Sequence, residues 1–317
     1  MNERLYPAFW LDKPYYSLNA YCQHVFHEKL YKIAIDAGMT CPNRDGTLDY
    51  RGCIFCSAGG SGDFAVSSDR LSIKEQLSQG LSLFGDKYTG QKFIAYFQAY
   101  TNTYAPVEKL YALYTQALSA PEIAGISIAT RPDCLPAEVL SLLAKLKQAY
   151  PEKFIWIELG LQTIHQQTAD YIRRGYPLST FVRAVDNLSM LQIPIIVHMI
   201  LGLPGETGDM NYETIRFLNT LPISGIKLQL LHVLKNTDLA LDYVNQKFEV
   251  LSFENYVNIL IGCLERLSPE IVIHRITGDG PKDLLIAPKW SLNKRNVLNT
   301  IHREMRLRNS WQGKELL

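Results

Sequence analysis

Along this chain, short apolar runs alternate with longer stretches in which apolar positions recur every three or four residues. The short runs are Tyr31–Asp36, Phe93–Gln98, Gly125–Thr130, Phe154–Leu159, Pro194–Ile200 and Gly225–Leu230. They are rich in Ile, Val and aromatic residues and too brief for helices, which reads as buried strands. The longer stretches are Ser72–Leu83, Pro106–Ser119, Pro136–Ala149, Ile164–Arg174, Leu178–Leu191 and Asn211–Thr220. Pro106 before Val107-Glu108 and Pro136 before Ala137-Glu138 are helix-start chemistry, placing proline in the first turn. Six strand–helix units in series predict an α/β fold. Its parallel sheet, joined by right-handed crossovers, curls into a partial (βα)6 TIM-like barrel. In such folds ligands meet the loops that leave the C-terminal ends of the strands.

Near residue 250 the pattern changes. A helical stretch at Phe253–Leu267 and a β-branched run at Ile271–His274 lead into a looser tail that carries Gly278-Asp279-Gly280-Pro281. The expected organisation is an N-terminal extension over 1–30, a core over 31–250 and a basic C-terminal extension over 251–317. An amphipathic helix is expected just before the first strand. The whole chain of 317 residues has a formal charge of +1, with 47% hydrophobic and 20% charged residues, so it reads as globular. That balance hides an asymmetry. From residue 281 onward eight Lys/Arg stand against three acids, so the rest of the chain is net acidic. Lys294, Arg295, Arg303, Arg306 and Arg308 are therefore candidate contacts for a polyanion, with a solvated helix face as the plainer reading.

No apolar run reaches the roughly 18 residues that suggest a bilayer span. The start, Met-Asn-Glu-Arg-Leu-Tyr-Pro, lacks the build of an export signal, so a cytoplasmic location without membrane partners is expected. In a reducing compartment clustered cysteines point to metal or catalysis. Cys41, Cys53 and Cys56 cluster, separated by eleven and two residues, among turn formers that include Gly46, Gly52 and the run Ser57–Gly62. Three thiolates suit a structural zinc with a fourth ligand from Cys22, His24 or His27. They also suit a catalytic zinc, or an iron–sulfur cluster with one iron left open. Cys22, Cys134 and Cys263 read as packing residues, Cys134 lying near candidate pocket positions. No P-loop, strand-borne Gly-x-Gly-x-x-Gly or Gly-x-Ser-x-Gly occurs.

Six blocks sit in order at the predicted strand ends. They are Gly38–Gly46, Gly52–Cys56, Tyr96–Thr103, Ala129–Asp133, Glu158–Thr163 and His198–Gly205. Together they make the chain resemble the radical S-adenosylmethionine (SAM) superfamily. Within it the chain is similar to the YhcC/YtqA-type branch, related to the catalytic subunit of Elongator and to oxygen-independent coproporphyrinogen oxidase. One departure is clear: the superfamily's commonest first gap is three residues, and here it is eleven.

The resemblance implies a [4Fe–4S] cluster on Cys41, Cys53 and Cys56, with SAM on the open iron. It implies Arg174 for the SAM carboxylate, Gln162 for the methionine part, His198 for the ribose and the loop around Gly202 for the adenine. The segment Gln98–Thr101, with Gln98 and Tyr100, falls where relatives place glycines beside the SAM amino group. Thr130 and Glu158 join the cofactor-binding set, and Arg131 is either a pocket residue or a loop brace. No substrate-activating residue is assigned. The branch implies tRNA as substrate, plausibly conversion of carboxymethylaminomethyl to aminomethyl at the wobble uridine, and an electron donor such as flavodoxin or ferredoxin. The alternatives are a radical SAM enzyme acting on a small metabolite and, more remotely, a zinc-stabilised β/α-barrel binding protein.

Overall fold

The computed structural model describes residues 6–60, 71–83, 90–278 and 280–316. Ser61-Gly62 of the glycine-rich run, and Asp279, lie outside the described residues. After a short turn, α1 (Leu18–Phe26) leads to β1 (Tyr31–Ile35), followed by α2 (Ile73–Ser82), β2 (Phe93–Phe97) and α3 (Val107–Leu118). Then come β3 (Ile123–Thr130), α4 (Ala137–Ala149), β4 (Phe154–Gln162), α5 (Gln166–Tyr171) and α6 (Leu178–Met190). The alternation continues through β5 (Ile195–Leu201), α7 (Gly208–Leu218) and β6 (Gly225–Leu230). It closes with β7 (Val233–Leu234), α8 (Asp238–Val244), α9 (Phe253–Arg266), β8 (Val272–Arg275), β9 (Leu285–Ala287) and α10 (Lys294–Leu307). Seven strands form one sheet in the order β1-β2-β3-β4-β5-β6-β8, and β7 pairs with β9 in a separate antiparallel ladder. Among the described residues no helix is long and apolar enough to cross a membrane.

All six expected strands and the helices between them are present. The helix expected over Ile164–Arg174 is cut to Gln166–Tyr171, because Arg173 takes a positive φ of 55° and ends it. Pro106, Pro136 and Pro177 stand at N-caps, one residue outside the helix, where a missing N–H costs nothing. Elsewhere side-chain oxygens cap the exposed amides. Ser72 and Glu75 form a reciprocal capping box on α2, and Thr207, Ser252 and Asn293 cap α7, α9 and α10. The tail beyond 281 is more ordered than its composition suggests. Val297, Ile301 and Met305 form a buried stripe that seats α10.

Packing divides the chain into two compact units. The first comprises residues 26–160 and 175–195; the second comprises 1–25, 161–174 and 196–317. In the first unit β1, β2 and β3 pair in parallel, and β3 pairs with β4 through partners such as Ala129 and Glu158. Phe97 and Tyr114 meet edge to face at 5.1 Å, joining β2 to α3. On the face that carries Tyr96, the buried Glu158 carboxylate takes Lys32 Nζ and Ser127 Oγ, each at 2.6 Å. In the second unit β5, β6 and β8 pair in parallel, and Gln312 ties the C-terminal segment to Tyr16, Ser268 and Ile271.

Candidate metal and cofactor site

The cysteine loop lies wholly in the first unit, directly after β1. Its eleven-residue gap behaves as a short one because the insert closes on itself. Gly52 N donates to Asn43 O at 2.6 Å, Leu48 N to Pro42 O at 2.8 Å, and Arg44 N to Cys41 O at 2.7 Å. This neck returns the chain from Cys41 to Cys53, and a turn closed by Cys56 N on Cys53 O (3.0 Å) presents the last thiol. Gly52 has φ 77°, and a Cβ there would lie 2.9 Å from Arg44 Nε. Glycine is therefore required at the neck.

Polar side chains hold this loop. Asn43 Nδ2 lies 3.4 Å from Cys53 Sγ as donor. The Arg44 guanidinium donates to the carbonyls of Cys56 (3.0 Å) and Ser57 (2.5 Å), stapling the second half of the loop to the first. Tyr100, at φ 62°, donates its amide to Gly60 O at 2.9 Å and its hydroxyl to Ala58 O at 2.5 Å. Its side chain thus braces the cysteine loop from the end of β2. Gln98 N bonds Ile35 O at 3.2 Å, and Thr101 N bonds Thr40 O at the same distance. The β2 end is thus stitched to the loop by backbone and ring.

Cys53 lies under the influence of the other two cysteines. Burial first, then the neighbouring Cys56 and Cys41, push the Cys53 thiol up to about 12, with Arg131 and Asn43 opposing. Three cysteine sulfurs carried on one loop, with Asn43 Nδ2 beside Cys53 Sγ, are the soft donor set that an iron–sulfur core takes, so the residues fit the implied group. Among the described residues no three His, Cys, Asp or Glu side chains are grouped to hold a single metal ion.

The β3 end builds the adjoining wall. Burial alone would lower the Arg131 pKa, but the paired Asp133 carboxylate outweighs it and holds the group raised. Its Nε and Nη2 reach Asp133 at 2.9 and 2.7 Å while its guanidinium stacks 4.9 Å from the Tyr176 ring. This is a loop brace that also carries positive charge toward Cys41 and Cys53. Thr130 Oγ1 meets Thr103 Oγ1 at 2.5 Å, and Thr103 also donates to Cys134 O. Cys134 is buried, its thiol raised chiefly by desolvation, within electrostatic reach of Cys41. Pro42, Thr47 and Leu48 of the insert, Tyr104 and Val107 after β2, and Cys134 and Val139 after β3 line a groove of about 690 Å³.

In the second unit the end of β4 makes a tight γ-turn. Thr163 N bonds Leu161 O at 2.8 Å around Gln162, whose φ is 63°. Positive φ in a residue with a side chain is costly and needs support. Arg174, almost fully buried, provides it, donating Nη1 to Leu161 O (3.1 Å) and Thr163 O (2.6 Å). At the end of β5, Gly202 has φ 85°, and a Cβ there would lie 2.9 Å from Leu251. The following loop is fixed by Glu206, which accepts Asn211 Nδ2 at 2.8 Å; burial raises its pKa against the pull of Thr163 and His165. His198, half-buried on β5, is paired in register with Lys227 on β6.

Cys22 and Cys263 are fully buried on α1 and α9, and His24 stacks on Phe9 at 5.1 Å, as packing residues do. Lys294, Arg295, Arg303, Arg306 and Arg308 are all exposed on α10 and its C-cap. The sequence assigns Asn43 and Arg44 no role beyond their place in the Gly38–Gly46 block, and it gives Glu206 none. Their signal was faint, since their partners are backbone carbonyls, a sulfur and a side-chain amide that no local pattern announces.

A sequence model described as the Radical SAM superfamily matches residues 47–218, and one described as the Radical_SAM C-terminal domain matches 223–307. The first match begins inside the long insert, after Cys41. The Bacillus subtilis (strain 168) protein YtqA is 44% identical over 99% of this chain and 96% of its own. Protein YhcC of Escherichia coli (strain K12) is 34% identical over 85% of each chain. Among solved structures, archaeal Methanocaldococcus infernus Elp3 superposes with a TM-score of 0.67 at 14% identity, covering 89% of this chain and 64% of that one. Methylornithine synthase superposes with a TM-score of 0.55 at 13% identity, over 93% of this chain and 86% of that one. These likenesses show a shared α/β fold of the partial-barrel type.

Proposed function

Given that this chain belongs to the radical SAM superfamily, we propose that it is a radical SAM enzyme acting on tRNA. Its reaction would convert a carboxymethylaminomethyl group to aminomethyl at the wobble uridine. The observation that carries the tRNA reading is α10. Counting 100° per residue, Arg295, Arg303 and Arg306 fall on one side of the helix, opposite the buried Val297, Ile301 and Met305. The stripe anchors the helix, and the opposite face offers an exposed row of guanidinium groups to a phosphate backbone. Arg308 takes a lesser share, since it already bonds Asn258 at 2.7 Å.

Cys41, Cys53 and Cys56 would hold a [4Fe–4S] cluster, and Gln162, Arg174, His198 and the Gly202 loop would hold SAM. The chemistry supplied when both are bound is one-electron cleavage of SAM to methionine and a 5′-deoxyadenosyl radical that removes a substrate hydrogen. An electron carrier such as flavodoxin or ferredoxin would feed it. The chain's own part is positioning. Asn43 and Arg44 fix the thiol loop, Tyr100 clamps it to β2, and Arg174 holds the γ-turn that carries Gln162. Thr130 and Glu158 bond to neighbours of the first unit, which suits wall residues better than direct ligands.

Salt dependence tests the tRNA reading. Wild-type protein should bind tRNA with a steep log–log salt slope, and Arg295→Gln, Arg303→Gln and Arg306→Gln should each flatten it by about 0.7–0.9. An unchanged slope in the triple variant removes the reading. The groove of about 690 Å³ beside the cysteine loop favours a second one, a small-metabolite substrate, since that size suits a single small molecule. Loss of activity in Val139→Trp with tRNA binding intact would support it.

A further inference from the structure

The insert between Cys41 and Cys53 does more than return the chain to its second cysteine. Beyond the neck, its tip over 45–51 is fixed almost residue by residue. Leu48 N and Asp49 N both donate to Pro42 O, at 2.8 and 3.3 Å, and Gly46 N donates to Asp49 O at 3.2 Å. The Asp45 carboxylate accepts Thr47 N at 3.0 Å. That of Asp49 accepts the amides of Tyr50 (2.7 Å) and Arg51 (3.1 Å). It also takes the Arg51 guanidinium at 2.9 and 3.2 Å. These bonds hold both carboxyls below the usual carboxylate range, so each is ionised at neutral pH. Whatever such a tip displays, it displays with little ordering entropy left to lose on binding.

Two apolar side chains stand on it. Tyr50 is 79% exposed and Leu48 51%, in a stretch whose charges balance, Arg44 and Arg51 against Asp45 and Asp49. Gly46 backs the Tyr50 ring: at φ 93° it leaves bare backbone where an added Cβ would lie 2.5 Å from Cζ and from the hydroxyl oxygen. The ring therefore rests on Gly46 and turns its other face to solvent. Thr47 and Leu48 of the same tip line the groove of about 690 Å³, and Thr47 Oγ1 meets the hydroxyl of Tyr104, another lining residue, at 2.8 Å.

Size and charge select the occupant. A protein partner needs about 800 Å² on each side, whereas one tyrosine offers about 200 Å². A tip whose charges balance does not steer a phosphate or an acidic carrier. A planar ring held with one face open matches another planar ring, and every base of single-stranded RNA presents one.

We infer that the tip of the insert is a nucleobase platform, on which Tyr50 stacks an unpaired base of the substrate RNA. The inference rests on the proposed tRNA reading and adds a second kind of contact to it. The α10 row offers charge to the phosphate backbone, whereas Tyr50 offers a surface to a base. It also gives the eleven-residue gap a purpose, since a three-residue gap is too short to carry a tip.

The test measures tRNA affinity of the cluster-loaded protein across a range of salt. Tyr50→Ala should weaken binding about ten- to hundredfold at every salt concentration, the worth of one stacked base. Its log–log salt slope should stay that of wild type, unlike the slopes of the α10 variants. Tyr50→Phe and Tyr50→Trp should bind as wild type does, whereas Tyr50→Leu, apolar but not planar, should resemble Tyr50→Ala. Iron content and thermal midpoint serve as fold controls. If Tyr50→Ala does not load, Tyr50→Trp carries the test: tRNA should quench the fluorescence of the added indole, and no quenching beyond wild type overturns the platform. Undiminished tRNA affinity in Tyr50→Ala also overturns it; if turnover then falls with flavodoxin but not with dithionite, the tip docks the electron carrier instead. Should wild type bind no tRNA at all, the tRNA reading has failed, and oligouridylate titrated into Tyr50→Trp judges the platform separately. Quenching sustains it, and no quenching overturns it.

Discussion

Replacing Arg174 with Met removes both bonds that hold the β4 γ-turn while filling much of the same space. Thr163 O would lose its 2.6 Å guanidinium donor, whereas Leu161 O would keep the Thr163 amide at 2.8 Å. A buried acceptor stripped of a charged donor costs about 1.5–3 kcal/mol, and the partly satisfied one about 1 kcal/mol. Relaxation of the positive-φ turn at Gln162 returns up to about 1 kcal/mol. The net loss is about 1.5–4 kcal/mol, which in a protein of this size lowers the thermal midpoint by about 2–6 °C. Arg173 is the internal comparison. It pairs with the half-exposed Asp238 carboxylate at 2.6 Å, so Arg173→Met should cost no more than about 1 kcal/mol. Thermal unfolding by circular dichroism, with SAM affinity measured on the loaded protein, reads both effects. Arg174→Met should also weaken SAM binding about tenfold, because Gln162 loses its fixed direction. A midpoint within about 1 °C of wild type, or equal losses from the two arginines, would refute the reasoning.

Other expectations follow from the same geometry. Ala at Cys41, Cys53 or Cys56 should abolish SAM cleavage, whereas Ala at Cys22 or Cys263 should leave iron content unchanged; iron assay and 5′-deoxyadenosine release check both. Gly60→Ala should destabilise the protein and lower iron loading, since φ is 55° and the new Cβ would lie 2.3 Å from the Tyr100 ring; Tyr100→Ala in the same chain should recover part of the loading. Lys32→Met should cost about 3–5 kcal/mol in chemical denaturation, because it removes the cation that Glu158 takes at 2.6 Å and leaves the buried carboxylate its Ser127 bond. Burial raises the Glu206 pKa in the folded protein, so the folded state holds its proton longer. Stability from this group is therefore lost as pH rises from its unfolded value, about 4.3, through the raised one. Glu206→Gln should remove that slope, read as the wild-type minus variant midpoint between pH 4.5 and 7; a flat difference would count against the burial argument.

Much of the scaffold could be read from residue order because its causes are local. Short apolar runs and period-three-to-four patterns mark β1 to β6 and their helices, and the Cys-x-x-Cys turn announces the metal loop. What was hidden depends on contacts distant in the chain. Nothing near Arg174 indicates that its guanidinium turns back to Leu161 and Thr163, and nothing near Arg131 indicates that it stacks on Tyr176. The eleven-residue gap looked like a departure from the common spacing. Its effect became clear only through the Asn43–Gly52 neck that folds the insert away. The tail appeared loose because its polar residues outnumber its apolar ones, yet three apolar residues at helical spacing suffice to seat α10.

Anaerobic reconstitution tests the central claim most directly. With iron, sulfide and a strong reductant, the wild-type chain should take up about four irons and four sulfides and release 5′-deoxyadenosine and methionine from SAM. The triple variant Cys41→Ala, Cys53→Ala, Cys56→Ala should hold neither cluster nor activity. Zinc in place of iron in the wild type, or a full cluster in the triple variant, would contradict the account.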